Sequence, residues 1–476
     1  MSLPGDLSTI LRNAGQEHLI AHAEQLASAQ RTAFVEQLQT MDWPLVAQLW
    51  QTRGQTADVN AAAAEAPQQV VRLPKTDADR AEWQHAHRVG EEALRAGRVA
   101  VVVVAGGQGT RLGISFPKGL LPVGPLSQHT LFQRFFEQVC ARQQRYGTSI
   151  PYAIMTSEAT HADTVRALEE NQWFGLNSEQ VWPFCQGRMP AVDAETGRAL
   201  LTAPGQLALS PDGHGGILTA MSRAGLLERM RSRGIDTLFY HQIDNPTTIV
   251  ADPAFLGWHL LREREMSTKV VAKRSAEEKM GVAVDLNGAT QVIEYSDLPA
   301  ELAAVRDAQG QLKFWAGNTA IHAFQREFLE QALNDTHALP FHIAKKAVAH
   351  WTPEQASVTP SSPNALKFER FIFDIMPWSK STLIVEADRA AEFNPIKNNT
   401  GADSPETAQA ALMALHRSWL RQAGATIADD MPVEISPLVA IEAADLQGRV
   451  APCTVITEPT WLAPDTLPRF PWFRTA

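Results

Sequence analysis

The 476-residue sequence predicts an α/β fold: a mixed, mostly parallel sheet flanked by helices, with a helical region before it and a small mixed domain after it. Three observations carry this. From Val99 onward, short apolar runs alternate with stretches of helical periodicity. Such runs are continuous rather than alternating, as expected for parallel strands buried on both faces. A glycine-rich loop follows the first of them, at the strand end where open α/β sheets bind ligands. The texture changes before Val99 and after about residue 405, which divides the chain into 1–98, 99–404 and 405–476.

The elements follow in order. LSTILRNAGQEHLIAHAEQL and RTAFVEQLQTMDWPLVAQLW carry apolar residues at spacings of three and four, and each predicts a helix. A low-complexity loop, VNAAAAEAPQQVVRLPKTDAD, separates them from a third helix, RAEWQHAHRVGEEALRAG. VAVVVVA is the first strand, TLFQRFFEQVCARQQRYG a helix, IPYAIMTS a second strand and EATHADTVRALEENQ another helix. TLFYHQID and TKVVAKRS are later strands, and GVAVDLNGATQVIEYS reads as a hairpin turning at Asn287-Gly288. The last domain opens with helical TAQAALMALHRSWLRQAG and continues in short strand-like pieces, VEISPLVAI and RVAPCTVI.

Composition narrows the class. Apolar residues make up 45% and charged residues 20%, as in ordinary globular proteins. A net charge of -10 excludes an electrostatic nucleic-acid binder. The three cysteines, Cys140, Cys185 and Cys453, are far apart and form no C-x-x-C pair, which fits a reducing compartment. The N-terminus lacks the pattern of a signal peptide and no apolar run approaches a membrane span, so the expectation is a cytoplasmic protein without a membrane partner. Only 11 of the 42 basic residues are lysine, which makes a lysine beside glycine or proline in a loop more informative than usual.

The glycine loop reads AGGQGTRLGISFPKG. It is not a P-loop, because no lysine followed by Ser or Thr closes it. Nor is it the dinucleotide fingerprint: Gly107, Gly109 and Gly113 give G-x-G-x-x-x-G, and no acidic residue opens a second strand about 20 positions on. What remains is a backbone that a base and phosphates can approach closely, with Arg111 and Lys118 supplying charge. That describes a nucleoside-triphosphate site of another design. A carboxylate at Asp244, closing the strand TLFYHQID, can hold Mg²⁺ against phosphate oxygens or cap the turn before Asn245-Pro246. His214, His241, His322 and His342 form no metal-binding spacing, and His241 is expected to pack or to hydrogen-bond near Asp244.

The loop resembles that of nucleotidyltransferases that couple a nucleoside triphosphate to a sugar 1-phosphate. PYAIMTS, FCQGRMPA, LSPDGHGG, YHQIDNP, QVIEYSD, WAGN, LKFERFIFD and EFNPIKN, in this order over about residues 99–400, resemble the eukaryotic-type UDP-sugar pyrophosphorylase family. EISPLVA near Glu434 is a looser echo. The resemblance implies a Rossmann-like, GT-A-like nucleotidyltransferase domain over 99–404. It also implies the reaction of UTP with a sugar 1-phosphate, giving UDP-sugar and pyrophosphate. The attacking phosphate monoester has its second pKa near ~6 and is already anionic at neutral pH, so neither a general base nor a covalent intermediate is needed. Catalysis then consists of positioning and cations.

By the same resemblance Arg111, Lys118 and Lys397 are the catalytic cations, with Lys118 and Lys367 on the UTP phosphates and Lys397 at the reacting centre. Gly106, Gly107, Gln108, Gly109 and Gln186 take the nucleotide, Gly213 lines the uridine, and Asp244 holds Mg²⁺. Glu294 and Asn318 bind sugar hydroxyls, while His214, Gly281 and Phe371 shape that pocket together with Lys397. The N-acetylglucosamine branch typically has Asn where this chain has His214, and Pro where it has Lys279; VIEYSD, AGN and EFNPIKN are closer to that branch. N-acetylglucosamine 1-phosphate is therefore the expected sugar, with glucose 1-phosphate or broad specificity as the alternative. Two readings from other classes are a non-catalytic UDP-sugar sensor and a nicotinamide-dependent oxidoreductase, the latter disfavoured by glycine spacing. A monomer or weak homo-oligomer is expected.

Overall fold

The structure is a computed structural model that describes residues 3–54, 61–335 and 338–474. Val59 and Asn60, which open the low-complexity loop, lie outside the described residues. Two compact units emerge, each discontinuous in sequence. The larger comprises Asn60–Cys185, Met221–Asn334 and Ile375–Ala476; the smaller comprises Met1–Val59, Gln186–Ala220 and Asp335–Asp374.

In the larger unit eight strands lie side by side. Their order is Val70–Val71, Thr382–Glu386, Met266–Ala272, Ala316–Gln325, Thr237–Gln242, Val99–Val104, Tyr152–Thr156 and Val181–Cys185. All neighbours pair in parallel except Ala316–Gln325, which is antiparallel to both of its partners. This is the mixed, mostly parallel sheet that the apolar runs predict. The run VAVVVV is β-branched and almost wholly buried because both of its faces are covered, a setting in which branched side chains pack well. Phe132, Phe135 and Phe136 of the Leu131–Tyr146 helix pack against it with no exposure. The predicted hairpin forms from Val282–Leu286 and Ala289–Ile293. Asn287 and Gly288 turn it with φ of 54° and 82°, the two positive angles that a tight two-residue hairpin requires.

The chain between the helices at 43–51 and 77–95 is not simply a loop. Val70–Val71 forms the edge strand beside Thr382–Glu386. Two residues are too short to register as a period, so the strand leaves no sequence signal. At the other end, Val433–Ile435 and Thr460–Leu462 pair in parallel, as do Thr426–Ile427 and Val455–Ile456, around a separate core that includes Leu420, Leu446 and Leu462.

In the smaller unit, the two long helices expected from the first 50 residues are four: Gly5–Asn13, Glu17–Gln25, Ser28–Gln39 and Trp43–Gln51. Gly15 at φ 72° breaks the first pair. Asp42, accepting from Leu45 N–H and followed by a proline in the first turn, starts the fourth helix afresh. Periodicity persists across both breaks, which is why it conceals them. These helices share one core with Val192, Leu366 and Phe368, and Gln16 bonds the backbone of Gly197 and Ala199. Phe368 is therefore the buried side of the same Ala365–Glu369 strand that carries Lys367.

Candidate active site

In the larger unit the glycine loop leaves the sheet after Val104. Ser157 Oγ donates to the Gly106 carbonyl at 2.8 Å, and Lys118 N–H donates to the Gly107 carbonyl at 3.2 Å, so both ends of the loop are tied. Gly109 and Gly113 are left-handed, with φ of 64° and 69°, and bracket the turn Thr110–Leu112. A Cβ at Gly107 would meet nothing within 4 Å, and Gln108 is exposed. The loop thus presents an open backbone face, beside a cavity of about 180 Å³ lined by Gln108, Thr110, Phe116 and Thr160. Arg111 is exposed in the turn.

Lys118 and Asp244 come together: Nζ lies 3.5 Å from Oδ2, with 15% and 19% of the side chains exposed. Asp244 follows the Thr237–Gln242 strand, adjacent to Val99–Val104, so two neighbouring strand ends deliver one cation and one carboxylate. Asp244 also receives the segment that carries Lys397, because Ile396 N–H donates to its carbonyl at 2.8 Å. Lys397 itself is exposed, and its N–H is held by the Asp403 carbonyl at 2.7 Å. Among the described residues no group of three or more His, Cys, Asp or Glu side chains could hold a metal ion. One carboxylate at a strand end still fits Mg²⁺, which keeps several waters and commonly takes only one or two protein oxygens beside substrate phosphates.

Gly281, Glu294 and Asn318 form a second group in this unit. Asn318 N–H donates to the Gly281 carbonyl at 2.8 Å, and a Cβ at Gly281 would lie 2.9 Å from Glu294 Oε1. The strand bearing Asn318 bulges opposite Lys269–Val270, with Ala320 at φ 55° and the Asn318 Oδ1 accepting from Ala320 N–H. Bulges re-aim side chains beside functional sites.

The smaller unit holds the remaining residues around a backbone clasp. Arg370 N–H donates to the Asp212 carbonyl at 2.8 Å, and Gly215 N–H donates to the Arg370 carbonyl at 2.7 Å. The Arg370 guanidinium reaches Asp212 Oδ2 at 3.1 Å. Gly213, at φ 82°, sits where a Cβ would come within 2.4 Å of the Arg370 carbonyl oxygen, so only a residue without a side chain fits against that backbone. Gln186 precedes Gly187, whose carbonyl accepts from Asp212 N–H at 3.1 Å. His214 stacks on Phe371 at 5.3 Å with a 24° interplanar angle, and its Nδ1 accepts from Ile372 N–H, which leaves the proton on Nε2. Burial, reinforced by nearby His342, pushes the His214 pKa down to about 4. Phe371 also meets His342 at a ring distance of 4.5 Å, and His342 Nε2 lies 2.6 Å from Asp374 Oδ2. Lys367 sits on the next strand, opposite Ala344. Asp212 and Arg370 carry no chemical mark of their own in the sequence; their signal is position inside LSPDGHGG and LKFERFIFD, respectively.

Residues 44–446 match the family model described as UTP–glucose-1-phosphate uridylyltransferase. The chain belongs to that family. It is a uridylyltransferase, an enzyme acting on UTP and a sugar 1-phosphate. It is 40% identical to UDP-N-acetylglucosamine pyrophosphorylase of Saccharomyces cerevisiae, over 73% of this chain and 75% of that one. It is 36% identical to UDP-N-acetylhexosamine pyrophosphorylase-like protein 1 of Mus musculus, over 90% and 88%. The crystal structure of the uridine diphosphate N-acetylglucosamine pyrophosphorylase from Trypanosoma brucei in complex with inhibitor superposes with a TM-score of 0.80 at 26% identity, covering 96% of this chain and 99% of that one. His241 is a packing residue, as expected: it is fully buried and takes a 2.9 Å bond to the Tyr152 hydroxyl. No helix among the described residues is long and apolar enough to cross a membrane.

Proposed function

We propose that the protein joins UTP to N-acetylglucosamine 1-phosphate with Mg²⁺ and releases pyrophosphate. The observation that carries the chemistry is the Lys118–Asp244 pair at 3.5 Å beside the open glycine loop. The sugar phosphate oxygen forms a bond to the α-phosphorus of UTP while the bond from that phosphorus to the bridging oxygen breaks, and pyrophosphate leaves with the electron pair. No proton has to be removed by the protein. Lys118 and Lys367 neutralise UTP phosphates, Arg111 adds charge at the loop, and Lys397 meets the phosphates that react. Gly106, Gly107, Gln108 and Gly109 receive the nucleotide along their backbone, Gln186 reads the uracil edge, and Gly213 borders the uridine. Asp244 would hold Mg²⁺ together with phosphate oxygens; when bound, the ion neutralises charge that grows on the leaving group.

The named relatives support N-acetylglucosamine over glucose. Glu294 and Asn318 supply the polar contacts to the sugar, with Gly281 leaving room between them. His214 and Phe371 give an aromatic wall with one Nε2–H donor. Initial rates of pyrophosphate release with UTP and a panel of sugar 1-phosphates test this assignment. N-acetylglucosamine 1-phosphate is expected to give the highest kcat/KM, and Lys397→Ala to reduce release to a small residual rate. A panel in which glucose 1-phosphate leads overturns the sugar; wild-type release from Lys397→Ala overturns the lysine's role. UDP-sugar binding without any turnover would favour the sensor. ATP and GTP as donors check the role of Gln186.

A further inference from the structure

Asp244 and Lys397 are far apart in sequence, and their segments are joined by more than the Ile396–Asp244 backbone bond. Asn245 stands at the joint. Its Nδ2 donates to the Glu392 carbonyl at 2.7 Å, and its Oδ1 accepts from Asn394 N–H at 3.0 Å. The Thr247 hydroxyl donates to the same Oδ1 at 3.0 Å and accepts from Asn394 Nδ2 at 3.1 Å. Asn245 and Thr247 are 4% and 3% exposed, so these bonds are shielded from competing water. Glu392 is anchored in turn: its carboxylate pairs with Lys269, which is buried and also bonded to Asp252 at 2.6 Å.

The amide therefore grips both sides of one turn of backbone, donor to residue 392 and acceptor from residue 394, immediately before Pro395, Ile396 and Lys397. An aspartate would keep the acceptor and lose the donor, and would set a carboxylate against the Glu392 carbonyl beside Asp244. We infer that Asn245 is a positioning residue that fixes the Lys397 segment in register with the Asp244 carboxylate. This rests on the reading in which Asp244 and Lys397 serve the uridylyl transfer. Asn245 does not touch substrate; it acts through Lys397.

A double-mutant cycle tests it. Asn245→Ala and Asn245→Asp are each expected to lower kcat about 10- to 100-fold, the usual cost of losing a group that orients a functional one. The affinity for UTP alone, measured by calorimetry, stays at the wild-type value. In a Lys397→Met background, read by a radiolabelled-UTP assay sensitive to residual turnover, Asn245→Ala adds no further loss, because the residue it orients is gone. A merely structural role predicts full additivity in the cycle, and that result overturns the proposal, as does wild-type kcat in Asn245→Ala. Should Asn245→Ala not fold, Thr247→Val removes the hydroxyl relay at constant shape; it is expected to show the same non-additivity, with Thr247→Ser restoring kcat. Wild-type turnover in Lys397→Met defeats the parent reading instead, so the two failures are distinguishable.

Discussion

Lowering the pH from 7 to 5 tests the burial of two histidines in the larger unit. His241 is fully buried, with Nδ1–H on the Gln242 carbonyl and Nε2 accepting from Tyr152, and burial pushes its pKa down to about 3. His259, equally buried between Ser267 and Gln325, is also pushed down to about 3. In the unfolded chain both return to 6.5. Below that value the unfolded state binds protons that the folded state refuses, so stability present at neutral pH is lost as pH falls from 6.5 toward 3. At pH 5 each histidine costs about 2 kcal/mol and the pair about 4 kcal/mol, a large share of a domain's net stability. Calorimetric unfolding at a series of pH values reads the loss directly. The variant carrying both His241→Gln and His259→Gln is expected to lose much less stability over the same interval, whatever its absolute stability. The reasoning is refuted if the wild type unfolds identically at pH 7 and pH 5, or if the double variant keeps the full pH dependence.

The remaining predictions concern the site and its support. Lys118→Met is expected to lower kcat/KM by about 10²–10³, the scale of removing one preorganised charge stabiliser, and initial rates check it; a loss below tenfold removes Lys118 from the machinery. Gly281→Ala places a Cβ 2.8 Å from Val292 Cγ1 and 2.9 Å from Glu294 Oε1, so KM for the sugar phosphate rises about tenfold or more while KM for UTP holds; equal changes in both would contradict the pocket assignment. Phe368→Ala empties a fully buried position in the smaller unit at a cost of about 3–5 kcal/mol, visible as a lowered melting temperature and faster proteolysis among the first 50 residues. The activity itself should fall below about pH 6 as the sugar phosphate takes a proton, since His214 stays neutral down to about 4. A limb that moves in His214→Asn would place that titration on the enzyme instead.

Much of the fold was legible because its signals are local. Val99–Val104 announces itself as an apolar run, and Asn287-Gly288 as a turn. What stayed hidden depends on contacts between distant segments. The Val70–Val71 strand exists only because Thr382–Glu386 offers it an edge. The breaks near Gly15 and Asp42 fall within uninterrupted periodicity. Cuts at 98 and 404 follow the texture of the chain, whereas compactness follows packing, which gathers Phe34, Val192 and Phe368 into one core.

The site divides along the same line. Of the proposed site, the glycine loop and the strand-end Asp244 stand out as residue types, while Lys118, Lys367 and Lys397 are named through the motifs of the family resemblance. The proposed reaction needs no proton taken by the protein, so it asks for cations, one hard carboxylate and bare backbone. The groups that hold them carry no such chemical mark. Asn245 looks like an ordinary turn residue before a proline, and Arg370 like a surface charge, until the structure sets one across residues 392 and 394 and the other on Asp212. The histidines invert the usual expectation: His214, His241 and His259 are all pushed well below neutral, which removes them as bases and leaves them as neutral hydrogen-bonding and stacking groups. A chain of net charge -10 that must bring two polyanions together gains nothing from a histidine that protonates near neutrality only part of the time. In the proposed reaction Lys118, Lys367, Lys397 and Arg111 meet that demand, and a buried amide such as Asn245 would decide where the charge of Lys397 stands.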